Sequence, residues 1–374
     1  MNPLLPDSYL RFSTHLREVT GAETTAWFGD VGFFVPRSTD LLQSWIIQLA
    51  RRRWTGMHPD LVPFAADGAG NLFCFVLSAA TPMRDTQAVV LWMYETYRCV
   101  PVASSFDLFV AWIGLTSFAA VRRGNIAILD AAAYDLRILP LLERFDLATD
   151  FHVLLPEPYP SNTEVSRAFL RIDPVAPASL VLTACRLGQS ANELRGLAEA
   201  EHALEVFPHF GAAALAAGRI HELHRDRAEA HAAYRRALRS PLTYSGDSMM
   251  PFLSEVPELD LEELTTKLAN DPGFDDPYGE WASLELILDN DPNEPEPWLH
   301  AAVEAANDQQ LEQGVTFAAN ALHLTAQKPE TAMESISLLL ELYEALGWSW
   351  QHGLMERELE VRAEAAPISK NSRR

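Results

Sequence analysis

A spacing of 34 residues recurs in the second half of the chain and limits what that half can fold into. Pairs of apolar residues stand at this distance from one another: Ala203-Leu204 with Ala237-Leu238, and Ile287-Leu288 with Ala321-Leu322. A proline follows shortly after several of these pairs, where a helix must stop. A period of this length predicts stacked helix-turn-helix units rather than one globular core.

The residue types within the period explain how such units would pack. Ala230 and Ala237 let two antiparallel helices lie close, while Tyr234 or Trp298 fills the space beneath the next unit. Gly218 stands where a repeat of this kind uses glycine for close helix contact. In these respects residues 177–365 resemble degenerate tetratricopeptide arrays of four or five units. Residues 242–276 and 335–346 depart from the period, and a hinge is predicted near residues 244–257.

Helical arrays of this kind form concave surfaces that hold a peptide or another domain, and nothing in them performs covalent chemistry. His221 and His224 stand three residues apart and so do not match the HExxH pattern of a zinc-protease helix, and solvated histidines are expected. The carboxylates of Glu356, Glu358 and Glu360 are expected on a solvated helix face. The second half is therefore predicted to be an interaction platform.

The first 150 residues have a different pattern. Apolar residues at helical spacing predict an amphipathic helix from Leu5 to Leu16, and a second helix is predicted over residues 40–53. Strand-like content follows in residues 27–36, and an Asp/Gly/Asn turn between apolar runs predicts a hairpin over residues 61–77. Residues 88–94 supply another strand, and Ser104-Ser105-Phe106 begins an apolar helix. This order predicts an α+β domain, an antiparallel sheet with flanking helices.

The same order of motifs resembles the SUKH superfamily, which includes fungal cell-wall-synthesis regulators and bacterial proteins that protect against polymorphic toxins. The residues that carry the resemblance are Leu5-Pro6-Asp7-Ser8-Tyr9 with Phe12, Pro63-Phe64-Ala65, Asp67-Gly68-Ala69-Gly70-Asn71 before Phe73-Cys74-Phe75, Val89-Val90-Leu91-Trp92, and Ala103-Ser104-Ser105-Phe106. The family often carries a Gly-Gly pair after the first helix, where this chain has only Gly21, and Val76 stands where a polar residue is common. The resemblance covers about residues 1–120 and implies a protein-binding role.

The domain organisation predicted from these patterns is an α+β domain at 1–150, a proline-rich linker at 151–176 and helical repeats at 177–365. Three well-separated cysteines, Cys74, Cys99 and Cys185, indicate reduced thiols and no zinc site. The N-terminus has no secretory pattern, which predicts a cytoplasmic protein. The apolar run at 108–121 is too short for a membrane span and predicts a buried helix.

The charge of the chain is strongly acidic and uneven. Residues 1–150 contain 12 Arg and 15 Asp or Glu, a net of -3, so the remainder of the formal -22 leaves -19 for residues 151–374. A field of this sign disfavours nucleic acid and anionic lipid and speeds the approach of a basic partner. An equally weighted alternative is that the acidic charge serves only to keep a helical array soluble.

No nucleophile elbow, phosphate loop, dinucleotide fingerprint or metal quartet is present, so neither an enzyme nor a cofactor is predicted. Gly68 and Gly70 lack the following Lys and Ser/Thr of a phosphate loop and the ligands of a calcium loop, which favours a tight turn. The predicted partner-binding residues are Asp67 and Asn71 on this turn and Trp92, Tyr94 and Glu95 at the next strand. A core position is favoured for Trp92 over partner contact.

Two functions agree with these patterns. The leading hypothesis is an immunity protein that clamps a basic toxin domain, and the alternative is a general adaptor that binds cellular proteins. A gene for a secreted toxin next to the gene for this chain would favour the first.

Overall fold

A computed structural model describes residues 5–35, 57–76, 87–124, 138–147, 149–189, 192–246, 252–253, 255–268, 280–325 and 329–365. The chain divides into two compact units. One consists of residues 1–46 and 61–260, and the other of residues 47–60 and 261–374. The first unit therefore contains the predicted α+β domain except residues 47–60, and also the first part of the helical region.

The first unit is built on an antiparallel meander. Its described strands are β1 (Thr25–Phe28), β2 (Val31–Phe34), β3 (Leu61–Asp67), β4 (Leu72–Val76), β5 (Val89–Trp92) and β6 (Cys99–Ala103), and they lie in the order β1-β2-β3-β4-β5-β6. Each strand pairs with the next one along the chain, so β1 and β6 are the two edges. The hairpin predicted over residues 61–77 is confirmed as β3 and β4.

The strand-like segment after the first helix folds as a second hairpin. A two-residue turn, Gly29-Asp30, joins β1 to β2, and Gly29 has a φ of 62°. Glycine at the first position of a two-residue loop suits a type II′ turn, whose twist matches that of the strands. A Cβ at Gly29 would also lie 2.9 Å from the Ser117 hydroxyl, so the turn packs closely against the following helix.

Two helices cover one face of the sheet. Helix α1 (Asp7–Thr20) ends at Gly21, and helix α2 (Phe106–Arg122) begins at Ser105, whose hydroxyl accepts a hydrogen bond from the Leu108 N–H. Both were predicted, and the apolar run at 108–121 lies within α2, most of whose residues are buried. The two helices and the sheet share an aromatic core in which rings from all three meet edge to face: Tyr9, Phe12, Phe33, Phe64, Phe75, Phe106 and Phe109.

Helices continue the first unit beyond the sheet. They are α3 (Leu139–Arg144), α4 (Phe151–Leu154), α5 (Asn162–Ile172), α6 (Pro177–Gly188), α7 (Glu193–Val206), α8 (Gly211–Leu223) and α9 (Arg227–Leu238), followed by a 3-10 turn at Leu242–Tyr244. Consecutive helices from α5 to α9 pack against one another, as in stacked helical pairs. Ser161 and Glu164 form a capping box at the start of α5.

A buried carboxylate ties the helical part of this unit to the sheet. Asp173, at the end of α5, is fully buried and accepts hydrogen bonds from the Ser104 N–H and hydroxyl, each at 2.8 Å. Burial raises the pKa of the Asp173 carboxyl, and the hydrogen bonds from Ser104 and Val175 act in the opposite direction. Helix α6 also packs against β6. The sheet and the helices up to α9 therefore share one core.

The second unit is helical in its described part. It contains α10 (Leu261–Leu268), α11 (Glu280–Leu288), α12 (Pro295–Asn307), α13 (Leu311–Leu324), α14 (Pro329–Leu346) and α15 (Ser349–Ala365). Trp298 is fully buried and donates from its indole N–H to the Pro292 carbonyl at 2.8 Å. Gln351 Nε2 donates to Asp60 Oδ1 at 3.3 Å.

The expected solvated position of Glu358 is wrong. Its side chain is 3% exposed, whereas Glu356 and Glu360 are exposed as predicted. The carboxylate of Glu358 lies 2.9 Å from the guanidinium of Arg362 on the next turn of α15. This pairing supplies the compensating charge that a buried carboxylate requires.

The α+β fold predicted for the N-terminal part and the helical fold predicted for the C-terminal part are confirmed. Helices α4 and α5 lie in the segment predicted to be a linker, and the first compact unit continues to residue 260. The predicted domain boundaries at residues 150 and 176 concern which segments can fold on their own, and they stay a prediction. The helix predicted over residues 40–53 lies outside the described residues.

Candidate functional site

Three hairpin turns lie at one end of the sheet. In a meander, alternate connections return to the same end, and the register shows this directly because Val31 pairs with Asp67 and Leu72 pairs with Trp92. The turns at residues 29–30, 67–71 and 93–98 are therefore neighbours. We call these three turns together the hairpin end.

The central turn is held by its own side chains. Asp67 Oδ1 accepts hydrogen bonds from the N–H groups of Ala69 and Asn71, both at 2.9 Å, and Asp67 Oδ2 accepts one from Asn71 Nδ2 at 2.7 Å. Gly70 has a φ of 94°, a conformation that glycine adopts without strain. Asp67 thus shapes the turn while its negative charge stays near the surface.

Asn71 connects this turn to the next one. Its Oδ1 accepts a hydrogen bond from the Tyr94 N–H at 3.1 Å. The third turn is closed by hydrogen bonds from the Met93 N–H to the Arg98 carbonyl and from the Tyr97 N–H to the Met93 carbonyl. The structure therefore brings together Asp67, Asn71 and Tyr94, which the sequence had placed in two separate segments.

The three residues predicted on the β5 segment have different exposures. Trp92 is fully buried, and its ring lies edge to face with those of Tyr94 and Tyr97, with centroids 6.2 and 5.9 Å away. Within the described chain, its indole N–H is buried without a hydrogen-bond partner. Tyr94 is 48% exposed, and Glu95 is exposed. Trp92 thus supports Tyr94 from below, and Tyr94 and Glu95 are the groups that a partner could reach.

Sequence reasoning missed two residues on the β1 hairpin. Asp30 lies in the first turn and is exposed. Although its side chain reaches solvent, desolvation by the surrounding protein raises the pKa of the Asp30 carboxyl, its own backbone hydrogen bond opposes this, and the nearby Asp67 carboxylate raises it further. Trp27 on β1 is 55% exposed. The Gly-Asp pair between Phe28 and Val31 was the signal that could have placed a turn here.

The hairpin end is acidic. Each of its three turns carries one of the carboxylates Asp30, Asp67 and Glu95, and residues 24–35, 61–76 and 87–97 contain no Lys or Arg. Arg98, the last residue of the third turn, forms an ion pair with Glu258, so its positive charge is offset. The exposed carboxylates of Asp30 and Glu95 and the exposed Tyr94 ring combine negative charge with apolar area, a combination suited to recognition of a basic protein surface.

The histidines considered in the helical region lie near ordinary surface contacts. His224 Nε2 is 2.9 Å from Glu193 Oε2, which links the end of α8 to the start of α7. Within the described ranges, no three or more His, Cys, Asp or Glu side chains are grouped so that they could hold a metal ion. A search of the described helices also finds none with both the length and the apolar character of a membrane span.

Part of the chain is similar to a known protein family. Residues 2–112 match the model of the SMI1 / KNR4 family (SUKH-1), over less than a third of the chain, and this match contains the whole meander and the hairpin end. No curated protein matches the chain. The resemblance of the N-terminal part to the SUKH superfamily is therefore confirmed, and the sheet, α1 and the start of α2 lie within the matched residues.

Proposed function

We propose that the chain is a non-catalytic immunity protein that neutralises a basic toxin domain by binding it at the hairpin end. The observation that carries the proposal is the placement of one carboxylate on each of three adjacent turns, whose one basic residue, Arg98, is already paired with Glu258. The match to the SMI1 / KNR4 family supports a protein-binding role in general. The acidic charge of the chain favours a cationic partner.

Inhibition by a protein of this kind requires only surface complementarity. Carboxylates at the hairpin end would raise the rate of encounter with a basic domain, and Tyr94 would supply apolar contact area at the centre of the interface. Toxin domains that cleave nucleic acid are commonly basic, and a negatively charged inhibitor would cover the surface that such a domain uses to bind phosphate.

The test begins with the native partner. The full chain is used as bait in its host, and a protein recovered with it is co-expressed with and without the chain to measure toxicity. We expect a basic protein whose toxicity is suppressed by the chain. Recovery of non-toxic cellular proteins alone would support the adaptor function and contradict neutralisation.

Variants then locate the contact. Tyr94→Ala is expected to weaken binding of the recovered partner by about tenfold or more, as for aromatic interface anchors. Glu95→Lys is expected to slow association and to reduce its dependence on salt, because it reverses a charge at the binding surface. Glu201→Lys changes the net charge equally at an exposed position on α7 and serves as the matched control. Equal effects of Glu95→Lys and Glu201→Lys would show that only total charge matters and would contradict binding at the hairpin end.

A further inference from the structure

The two edges of the sheet differ in how they are covered. At one edge, α6 packs against β6, and the Thr243 hydroxyl of the 3-10 turn donates to the Tyr97 carbonyl at 3.1 Å and lies 3.7 Å from Cys99 Sγ. At the other edge, β1 is the last strand, and no strand among the described residues pairs with its outer side. The sheet therefore has one open edge within the described part of the chain.

The register of the β1–β2 hairpin fixes which backbone groups lie on that open side. Phe28 and Val31 close the two-residue turn, and the Val35 N–H donates to the Thr24 carbonyl at 2.9 Å. Hydrogen-bonded pairs alternate along an antiparallel ladder, so Thr24, Ala26 and Phe28 face β2. The N–H and C=O groups of Thr25 and Trp27 consequently point away from the sheet.

Strand β1 lacks two of the features that often protect a sheet edge. Its sequence, Thr-Ala-Trp-Phe, contains no charged residue and no proline. The Trp27 indole is 55% exposed and lies against β2, where a Cβ at Gly32 would be 3.3 Å from its Cε2 and Cη2 atoms. The indole is thus held in place before any partner binds, beside the backbone groups that a partner strand would use.

The charges at the two ends of β1 favour one kind of partner strand at this edge. Glu23 precedes β1 and Asp30 follows it, and both are exposed. An antiparallel second copy would place the Asp30 end of one β1 beside the Glu23 end of the other, and a parallel copy would place like residues together. Both arrangements oppose like charges, which destabilises strand pairing. A strand flanked by basic residues has the complementary pattern.

We propose that the β1 edge accepts an extended strand of a basic partner protein, which adds to the sheet through Thr25 and Trp27 and packs on the Trp27 indole. This inference rests on the proposed function for the existence of a basic partner and specifies where and how that partner binds. Backbone hydrogen bonds supply the affinity in strand addition, and side chains beside them supply the specificity.

A defined probe tests the edge without the native partner. Fluorescein-labelled nonapeptides of alternating Lys and Val are titrated against the full chain by fluorescence anisotropy, beside analogues with Glu for Lys and analogues N-methylated at alternate residues. We expect the Lys peptide to bind, the Glu peptide to bind at least tenfold more weakly through charge repulsion, and the N-methylated peptide to lose binding because it cannot pair.

Substitutions in β1 complete the test. Thr25→Pro removes an outward N–H that β2 does not use, and Trp27→Ala removes the indole, so each is expected to weaken peptide binding by about tenfold. Circular dichroism checks that both variants keep the fold, and Glu201→Lys is the control. Hydrogen exchange of wild-type residues 24–28 gives an independent measurement, since bound peptide should protect the amides of Thr25 and Trp27.

Each outcome separates this inference from the proposed function. Equal binding of the N-methylated and unmethylated peptides, or unchanged exchange at residues 24–28, would overturn strand addition. A native partner whose binding depends on Tyr94 and Glu95 but is unaffected by Thr25→Pro would support the proposed function and overturn the β1 inference. If the native partner depends on Thr25 and Trp27 as well, both are supported.

Discussion

Gly218 lies where helices α8 and α9 approach most closely, and its replacement by alanine tests the packing predicted for the helical repeats. An added Cβ would lie 2.3 Å from Cε1 and 2.5 Å from Cδ1 of Tyr234. Non-bonded carbon atoms prefer a separation of about 3.5–4.0 Å, so the overlap exceeds about 1 Å. Tyr234 is fully buried, and its rigid ring has no solvent to move into.

Two effects of opposite sign decide the magnitude. Alanine favours the helix over glycine by about 1 kcal/mol, whereas overpacking a well-packed core costs about 1–3 kcal/mol. Because the overlap involves a buried ring, we expect the cost to reach the upper part of this range. Gly218→Ala should therefore lower the free energy of unfolding of the first unit by about 1–2 kcal/mol.

Urea unfolding followed by circular dichroism measures this change, with hydrogen exchange in α8 to assign it to the first unit. Gly353→Ala in α15 is the matched control, since no atom lies within 4 Å of its added Cβ, and it should be neutral or stabilising by up to about 1 kcal/mol. In a Tyr234→Ala background, Gly218→Ala should become stabilising. A neutral or stabilising effect of Gly218→Ala beside the native Tyr234 would refute the argument.

Three further predictions follow from buried groups. Burial raises the pKa of the Asp173 carboxyl, so this group binds a proton more readily in the folded chain than in the unfolded chain. The contribution of Asp173 to stability therefore falls as pH rises above the usual carboxyl pKa. In urea unfolding, the stability of the wild type relative to Asp173→Asn should decrease from pH 4 to pH 7. Cys74 and Cys99 are buried and Cys185 is half-buried, and burial raises the pKa values of all three thiols, that of Cys185 to about 11. A disulfide reagent at pH 8 should therefore label Cys74 and Cys99 most slowly in the folded chain and all three rapidly in urea, whereas fast labelling of all three thiols in the folded chain would contradict the burial of Cys74 and Cys99. Arg123 donates from Nε to the Pro160 carbonyl at 2.6 Å, so Arg123→Ala should speed proteolysis of residues 155–160, and an unchanged cleavage rate would show that this contact does not hold the segment.

Local patterns account for the parts of the fold that the sequence predicted correctly. Helix α1, the β3–β4 hairpin and the start of α2 at Ser105 each depend on residues close together in the chain: an apolar period, an Asp/Gly/Asn turn and a helix cap. The predicted residues Asp67 and Asn71 lie in the turn expected for them. Such features follow from the backbone preferences of neighbouring residues and do not depend on contacts with distant segments.

Burial of individual side chains was only partly predictable, because the core position favoured for Trp92 is confirmed, whereas the exposure of Trp27 was not predicted. Trp27, Gly32, Ala66, Leu72 and Trp92 form one row across the sheet, strand by strand. Yet Trp27 is 55% exposed and Trp92 is fully buried. The alternation of residues along each strand is the same for both, and what differs is whether other elements cover that part of the sheet face.

The sequence by itself determined helix α1, the β3–β4 hairpin and the start of α2, that the second half is helical, and that the chain is acidic. Only the tertiary structure decided that three turns distant in the chain place Asp30, Asp67 and Glu95 at one end of the sheet. It also decided that β1 is an open edge within the described residues while β6 is covered, and that Glu358 is buried. The physical reason is that secondary structure depends on neighbouring residues, whereas exposure and charge clustering depend on which distant segments pack together.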